Sequence, residues 1–129
     1  MATKRCPADT AFSNAVRLSK GYQCEHCHKS DGTMECAHIF GRRHKSIRWD
    51  TMNALCLCHA CHRKFTENPV SFTRFLEATA GRGYLDILNE KKNRIFKVTP
   101  TIRKEIAAHY RAQVKELESG ERRFLESYQ

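Results

Sequence analysis

The sequence predicts an α+β fold, in which a short β-hairpin and a helix lie between an N-terminal helix and a helical C-terminal half. Two observations support this prediction. Two cysteine pairs, Cys24–Cys27 and Cys58–Cys61, share the Cys-x-x-Cys spacing and are separated by thirty residues. This gap is longer than the usual zinc-finger gap, so a folded element must lie inside it. Beyond residue 69, apolar residues recur with a helical period.

The chain of 129 residues is predicted to be one domain with four consecutive segments. An N-terminal helix covers residues 9–21, and the hairpin-and-helix core covers 22–68. A helical extension follows over 69–120, and the charged tail at 121–129 is expected to fray.

The first helix is predicted from a cap, an apolar face and a terminator. Asp9 is a favourable N-cap, and Phe12 and Val16 lie four residues apart on one helical face. Gly21 can end the helix in the left-handed conformation. The helix therefore leads directly into Cys24.

The gap between the cysteine pairs is predicted to hold the hairpin. Residues 34–40 are short and partly apolar, and they fit a strand that ends in His38. Residues 47–49 are either the second strand or another extended segment, and residues 54–57 lead apolar side chains into the second cysteine pair. From that pair the chain is expected to turn into a helix that carries His62.

The second half of the chain is predicted to be helical. Pro69 can start a helix over residues 70–79, Gly81 separates it from an apolar stretch at 84–88, and Thr99–Pro100 is a cap with proline at the first helical position. The apolar stripe of the last helix consists of Ile102, Ile106, Tyr110, Val114 and Leu117. This stripe predicts core packing, and a homodimer seam through the C-terminal helices is the alternative.

The two cysteine pairs predict a structural metal site. Four thiolates, Cys24, Cys27, Cys58 and Cys61, can close a tetrahedral Zn²⁺ site. The total of seven cysteines is odd, which argues against a disulfide scaffold and for a reducing compartment. The remaining three cysteines are interpreted as free thiols.

The charge of the chain favours a polyanionic partner. Lysine and arginine exceed aspartate and glutamate by 9, and four zinc-bound thiolates with their ion would leave about +7. This balance suits nucleic acid, and a basic protein without such a partner is the alternative. The N-terminus has no apolar signal segment and no run is apolar enough to span a membrane, so we expect a cytoplasmic protein without a membrane partner.

Three residues in register with the cysteine pairs predict phosphodiester hydrolysis, which needs a base, a cation and a held phosphate. His38 suits the base because histidine titrates near neutral pH. His62 offers an imidazole to a divalent metal, and Asn53 either fixes the loop by side-chain hydrogen bonds or joins the metal shell. The side chains predicted to contact DNA phosphates are Arg42, Arg43, Lys45, Arg48, Arg63 and Lys64.

These motifs together resemble those of HNH (ββα-metal) endonucleases. The matching strings are Cys24-x2-Cys27, Ala37-His38-Ile39-x-Gly41-Arg42, Arg48-Trp49-Asp50-x2-Asn53 and Cys58-x2-Cys61-His62. Within that family the chain is most similar to small phage HNH proteins of the lambda NinG (Rap) recombination nuclease type, including the lead-in Phe12-Ser13-x3-Arg17. The resemblance covers most of the chain, and residues 22–66 are its specific part.

The resemblance implies a ββα-metal core and a role for each matching residue. His38 corresponds to the general base, Asn53 to the middle position and His62 to the metal-binding position, while the four cysteines match structural zinc ligands. The catalytic ion would be Mg²⁺ or Mn²⁺. The substrate would be double-stranded or branched DNA, such as a Holliday junction or D-loop, and a phage-encoded enzyme would act in the host cytoplasm.

One position departs from the family pattern. Many HNH enzymes have a metal-binding aspartate directly before the base, whereas this chain has Ala37, a small residue that the NinG-like members also tend to have there. Water and phosphate, Glu35, Asn53 or His44 could complete the metal shell. Glu35 and Ala37 face one side of a strand and His38 faces the other.

Three other functions remain open from the sequence. Ala37 favours a zinc-stabilised DNA-binding module without catalysis. A sequence-specific or non-specific DNA nickase is a second alternative. An RNA-binding zinc-knuckle protein is disfavoured, because aromatic residues for base stacking are scarce near the basic loop, with Trp49 as the exception.

Overall fold

The computed structural model of the protein describes residues 3–129, which form an α+β fold of five α-helices and one two-stranded sheet. The elements are α1 (Pro7–Ser19), β1 (Met34–His38), a short 3-10 helix (Thr51–Asn53), β2 (Ala54–Cys58), α2 (His59–Glu67), α3 (Pro69–Ala80), α4 (Arg82–Lys92) and α5 (Pro100–Ser119).

The sheet is an antiparallel hairpin that runs directly into a helix. The strands pair from Met34 opposite Cys58 to His38 opposite Ala54, and α2 begins at the next residue, His59. A long connection, which we call the 39–53 loop, joins the two strands. The hairpin therefore places the start of β1, with Glu35, beside the first turns of α2.

The second strand is not where one reading of the sequence placed it. Residues 47–49 form a turn, and β2 is instead the apolar segment Ala54–Cys58. Side-chain hydrogen bonds explain the difference, because Arg48 and Trp49 both bond Asp9 and are buried. A segment held in this way is not available for pairing with β1.

Helix α1 starts two residues before the predicted position of its cap. Its N-cap is Cys6, with Pro7 at the first helical position. The assignment of Asp9 as the N-cap is wrong: Asp9 is the third helical residue, and its Oδ2 accepts a hydrogen bond from the Cys6 backbone N–H at 2.8 Å. The predicted terminator is correct, since Gly21 has φ of +64°.

The first hydrophobic core lies between α1 and α5. Ile106 and Tyr110 of the predicted stripe are buried against α1, where the Tyr110 ring meets Phe12 edge-on at 5.0 Å. Thr99 caps α5 by accepting a hydrogen bond from the Ile102 backbone N–H. Core packing of the stripe is thus confirmed, and α1 covers the face that a dimer seam would have used.

The C-terminal tail does not fray as expected. It turns back along α5, and Tyr128 donates its backbone N–H to the Tyr110 hydroxyl at 3.0 Å. Gln129 then accepts a hydrogen bond from the Trp49 backbone N–H at 2.7 Å. The tail therefore braces the 39–53 loop, because its uncharged side chains satisfy backbone groups there.

A second core joins the hairpin, α2 and α3. It contains three cysteines of the two pairs, Cys24, Cys58 and Cys61, whereas Cys27 is exposed. The buried Leu57 and Phe65 also belong to it, with Phe72 and Phe75 of α3 stacked on Phe65. Helix α4 follows α3 after Gly81 and runs to Lys92, so it takes in the beginning of the predicted polar link at 89–98. Among residues 3–129, no helix combines the length and apolar character needed to cross a membrane.

Candidate functional site

The four paired cysteines converge on one point. All four sulfurs lie within 4.8 Å of one another, and no other group of three or more potential metal ligands among residues 3–129 is this close. The Sγ atoms of Cys27 and Cys58 are 3.8 Å apart. Thiolates about 2.3 Å from a tetrahedral zinc ion lie about 3.8 Å from each other, so the arrangement fits a zinc ion.

The surroundings of this cluster favour a thiolate at Cys24, whereas burial and the neighbouring cysteine sulfurs raise the pKa of Cys61. Burial raises the pKa of Cys24, but backbone hydrogen bonds from Cys27, Cys58 and His26 outweigh it and hold the pKa at about 6. The His26 Nδ1 lies 3.2 Å from the Cys61 sulfur, and its ring packs edge-on against Phe65. An N–H donor at this distance stabilises negative charge on sulfur.

One residue that sequence reasoning missed ties the first cysteine pair to the sheet. The Glu25 backbone N–H donates to the Cys56 carbonyl at 2.9 Å, and the Glu25 carboxylate accepts from the Cys56 backbone N–H at 2.7 Å. The segment that carries Cys24 and Cys27 is therefore hydrogen-bonded to β2, whose last residue is Cys58. An acidic residue directly after a metal-site cysteine is the only signal that the sequence offered for it.

A second site lies on the other side of β1, in a cleft of about 620 Å³ bordered by α1, β1, α2 and the start of the 39–53 loop. Its functional side chains are Arg5, Arg17, Glu35, His38, Arg42 and His62. Two of the three residues in the predicted catalytic set, His38 and His62, thus line one cleft, and Asn53 does not.

His38 is held by the loop beside it. Its Nε2 lies 3.0 Å from the Arg48 carbonyl oxygen, which can only accept, so Nε2 carries the proton and Nδ1 keeps the lone pair. Burial lowers the pKa of His38, against a raising effect of that hydrogen bond and of Asp9; Arg42 and Arg48 lower it further. The ring is therefore neutral at physiological pH.

Asn53 fixes the 39–53 loop. It is fully buried, and its Oδ1 accepts from the Phe40 backbone N–H at 2.8 Å. Its Nδ2 donates to the carbonyls of Phe40 and Ile47 at 2.9 and 3.1 Å. Of its two possible roles, the structure thus shows loop fixation, since all three interactions are with the backbone and the carbonyl oxygen that a metal would need is occupied.

Glu35 and His62 meet across β1 and α2. The Glu35 Oε1 is 2.8 Å from the His62 Nδ1, and its Oε2 is 3.1 Å from the His59 Nδ1. The Glu35 carboxylate accepts from the His62 Nδ1–H, so a divalent cation would have to displace that proton before both groups could bind it. Their separation is close to the roughly 3.0 Å between neighbouring ligands of an octahedral ion with bonds of about 2.1 Å. Of the other groups that could complete that shell, His44 packs on Phe40 instead of lining the cleft.

The predicted DNA-contacting residues differ in what they can reach. Arg43, Lys45 and Lys64 are exposed, and Arg63 is exposed but pairs with Glu67 at 3.0 Å. The assignment of Arg48 to this set is wrong. Its guanidinium is fully buried and cannot reach a phosphate.

Arg48 belongs to a network centred on the buried Asp9. The guanidinium donates to both Asp9 carboxylate oxygens at 2.9 and 2.6 Å, and the Trp49 Nε1–H donates to Oδ1 at 3.1 Å. Arg42 approaches Oδ2 at 3.5 Å. Because the Arg48 carbonyl holds His38, this network positions the histidine from α1.

We expect Asp9→Asn to lower the free energy of unfolding by about 3–5 kcal/mol, because the buried Arg48 loses its counter-charge. Urea unfolding of the zinc-loaded protein at neutral pH measures the loss. Glu67→Gln is the control, since it breaks the exposed Arg63–Glu67 pair and should cost less than about 1 kcal/mol. Equal losses in the two variants would contradict a structural role for Asp9.

The same network has a defined pH dependence. Burial raises the pKa of Asp9, but hydrogen bonds from Arg48 and Cys6 outweigh it and hold the pKa at about 2, below the ordinary 3.8. A lowered folded-state pKa stabilises the fold above the unfolded-state value, and this contribution is lost as the pH falls towards 2. The stability difference between wild type and Asp9→Asn should therefore stay constant between about pH 6 and pH 8.

No protein-family model, curated protein or solved structure matches this chain.

Proposed function

We propose that the protein is a metal-dependent DNA endonuclease of the HNH type, with a structural zinc ion in the four-cysteine site. One observation carries the proposal. His38, with its Nδ1 lone pair available, and the Glu35–His62 pair line the same cleft, at the junction of a β-hairpin and the helix that follows it. A base and a cation site in one basic cleft are what phosphodiester hydrolysis needs.

His38 acts as the general base in this proposal. Its Nδ1 takes a proton from a water molecule as that water attacks the phosphorus, and the Arg48 carbonyl keeps the ring oriented through Nε2. A divalent cation bound by Glu35 and His62 would supply stabilisation of the negative charge on the phosphate and on the leaving oxygen. In this proposal Glu35 supplies the metal-binding carboxylate that many HNH enzymes have at the position of Ala37.

The zinc site stabilises the elements that form this cleft. Cys58 ends β2 and caps α2, so zinc ligation fixes the angle between the hairpin and the helix that carries His62. The Glu25 contacts to Cys56 extend the same constraint to the sheet. Zinc is thus a structural ion in the proposal and takes no part in the reaction.

The proposed substrate is DNA, with branched recombination intermediates as one form of it. The cleft contains three arginines, and the exposed cations Arg43, Lys45 and Lys64 lie on the loop and helix beside it. Paired cuts at a four-way junction would need two active sites and hence a symmetric dimer. Such a dimer would use a face other than the α5 stripe, which α1 covers.

A zinc-stabilised DNA-binding module without catalysis is the second candidate. The observation in its favour is that both Glu35 oxygens already contact histidines, and that Ala37 supplies no carboxylate. In this case the Glu35–histidine contacts would be ion pairs that orient α2. DNA binding would remain and cleavage would be absent.

A cleavage assay separates these functions. A four-way junction, a supercoiled plasmid and a linear duplex are incubated with zinc-loaded protein and either Mg²⁺ or Mn²⁺. We expect metal-dependent cutting that is lost in His38→Ala, with the preferred substrate distinguishing a junction enzyme from a general nickase. Binding without cutting on all three substrates would overturn the nuclease proposal and favour the binding module.

A further inference from the structure

We propose that Arg5 and Arg17 form a phosphate-binding wall for the DNA strand that is cut. Neither residue belongs to the basic loop from which DNA contact was predicted. This inference rests on the proposed function, because it concerns how the same cleft holds its substrate. We call these two side chains the α1 wall.

The first support is position. Arg5 precedes Cys6, the N-cap of α1, and Arg17 lies in the last turn of this helix. Both side chains line the cleft that contains His38 and His62. Helix α1 packs along β1, so the wall runs beside the strand that ends in His38. A DNA strand with its phosphate at His38 would lie against this helix.

The second support is the state of the two guanidinium groups. Among residues 3–129, neither Arg5 nor Arg17 forms a salt bridge with an acidic side chain, whereas Arg63, Arg94 and Arg122 each do. The Arg17 guanidinium donates to the Ser13 carbonyl at 3.2 Å and to the Asn14 Oδ1 at 2.5 Å, and the Arg5 Nε donates to the Thr10 hydroxyl at 3.3 Å; all three acceptors are uncharged. The side chains are therefore oriented without being neutralised.

The third support is the charge balance of the cleft. Of its two acidic side chains, Asp9 pairs with the buried Arg48. Glu35 is then the one acid left against the guanidinium groups of Arg5, Arg17 and Arg42, since its histidine partners carry charge only when protonated. The positive charge of the α1 wall is thus not cancelled inside the cleft. An arginine fork held in this way suits the oxygens of a backbone phosphate.

The α1 wall also supplies positive charge that the predicted DNA-contacting residues Arg42 and Arg48 do not offer freely. Arg48 is buried, and Arg42 is partly engaged, since it donates to the Thr3 carbonyl at 2.9 Å and approaches Asp9. Of the arginines that line the cleft, Arg5 and Arg17 are therefore the two whose charge is not paired with an acidic side chain among residues 3–129. The phosphate contacts that the sequence assigned to the 42–48 segment shift in part to α1.

The test is the salt dependence of DNA binding, measured without cleavage. Fluorescence anisotropy of a labelled linear duplex is recorded over a range of KCl, with Ca²⁺ in place of the catalytic ion and zinc retained. Arg5→Ala and Arg17→Ala are compared with Lys115→Ala, an exposed charge on α5 outside the cleft. Circular dichroism confirms that each variant is folded.

We expect each arginine variant to reduce the slope of log Kobs against log salt by about 0.9, which corresponds to about eightfold weaker binding at 0.1 M salt. Arg17→Lys should recover the slope, because it restores the charge. Lys115→Ala should leave the slope unchanged. A slope for both arginine variants equal to that of Lys115→Ala would overturn the inference.

The outcome is separable from that of the proposed function. If wild type cuts DNA while both arginine variants bind as wild type does, the α1 wall is rejected and the nuclease stands. If the slopes fall as expected but no substrate is ever cut, the α1 wall stands and the catalytic proposal fails.

Discussion

Replacing Cys58 with serine is expected to abolish stoichiometric zinc binding and to unfold the hairpin-and-helix core. Metal binding in such sites is folding free energy, amounting to about 10–16 kcal/mol in zinc-finger peptides at neutral pH. The core has little else to replace it, because three of the four cysteines, Cys24, Cys58 and Cys61, are themselves members of the second hydrophobic core. Serine is also a good N-cap, so α2 keeps its cap and the loss reports on the metal.

The measurements for Cys58→Ser are zinc content by atomic emission and thermal unfolding by circular dichroism. We expect far less than one zinc equivalent and a melting temperature lower by at least about 10 °C, since each kcal/mol shifts it by several degrees. Cys36→Ser is the matched control, because Cys36 lies in β1 but outside the four-cysteine site. A Cys58→Ser variant that keeps one zinc equivalent and its melting temperature would show that the ligand set is wrong.

The second large effect is expected for His38→Ala, which should lower the cleavage rate by about 10²–10⁴-fold, the usual contribution of a general base. DNA binding should change little, because the neutral His38 ring contributes no charge. His38→Gln should be equally inactive although it keeps a donor for the Arg48 carbonyl. This pair of variants separates the loss of the base from a disturbance of the loop.

A histidine control and a pH profile complete this test. His28→Asn alters an exposed histidine outside the cleft and keeps a residue type that tolerates its φ of +64°, so it should cut like wild type. The acidic limb of the wild-type rate profile should lie below pH 6.5, because burial keeps the pKa of His38 below the ordinary value. Substantial cutting by His38→Ala would exclude this residue as the base.

Local patterns were enough to predict several elements correctly. Thr99, Pro100 and Gly120 mark the two ends of α5, because caps and left-handed terminators act within a single helical turn. The strand that ends in His38 and the clustering of the four cysteines were also predicted correctly. In each case the chemistry of a short segment limits its conformation almost regardless of the rest of the chain.

The errors share a different cause. The sequence suggested Asp9 as a cap, Arg48 as a DNA contact and the C-terminal tail as frayed, and each reading assumed a side chain facing water. In the fold, Asp9 and Arg48 pair across thirty-nine residues, and the tail reaches Trp49 across eighty. Partners so distant along the chain leave no periodic signal in it.

The sequence by itself therefore determined the α+β class, the four-cysteine site and the candidate residues His38, Asn53 and His62, because spacing within short segments decides these features. Tertiary structure alone decided what those residues can do. In the fold, the Asn53 side chain hydrogen-bonds backbone groups of the 39–53 loop, and Arg48 is buried in an ion pair with Asp9. The fold brought Glu35 to His62 and added Arg5 and Arg17 to the cleft. The physical reason is that burial and charge pairing depend on which segments pack together, and long-range packing sets both.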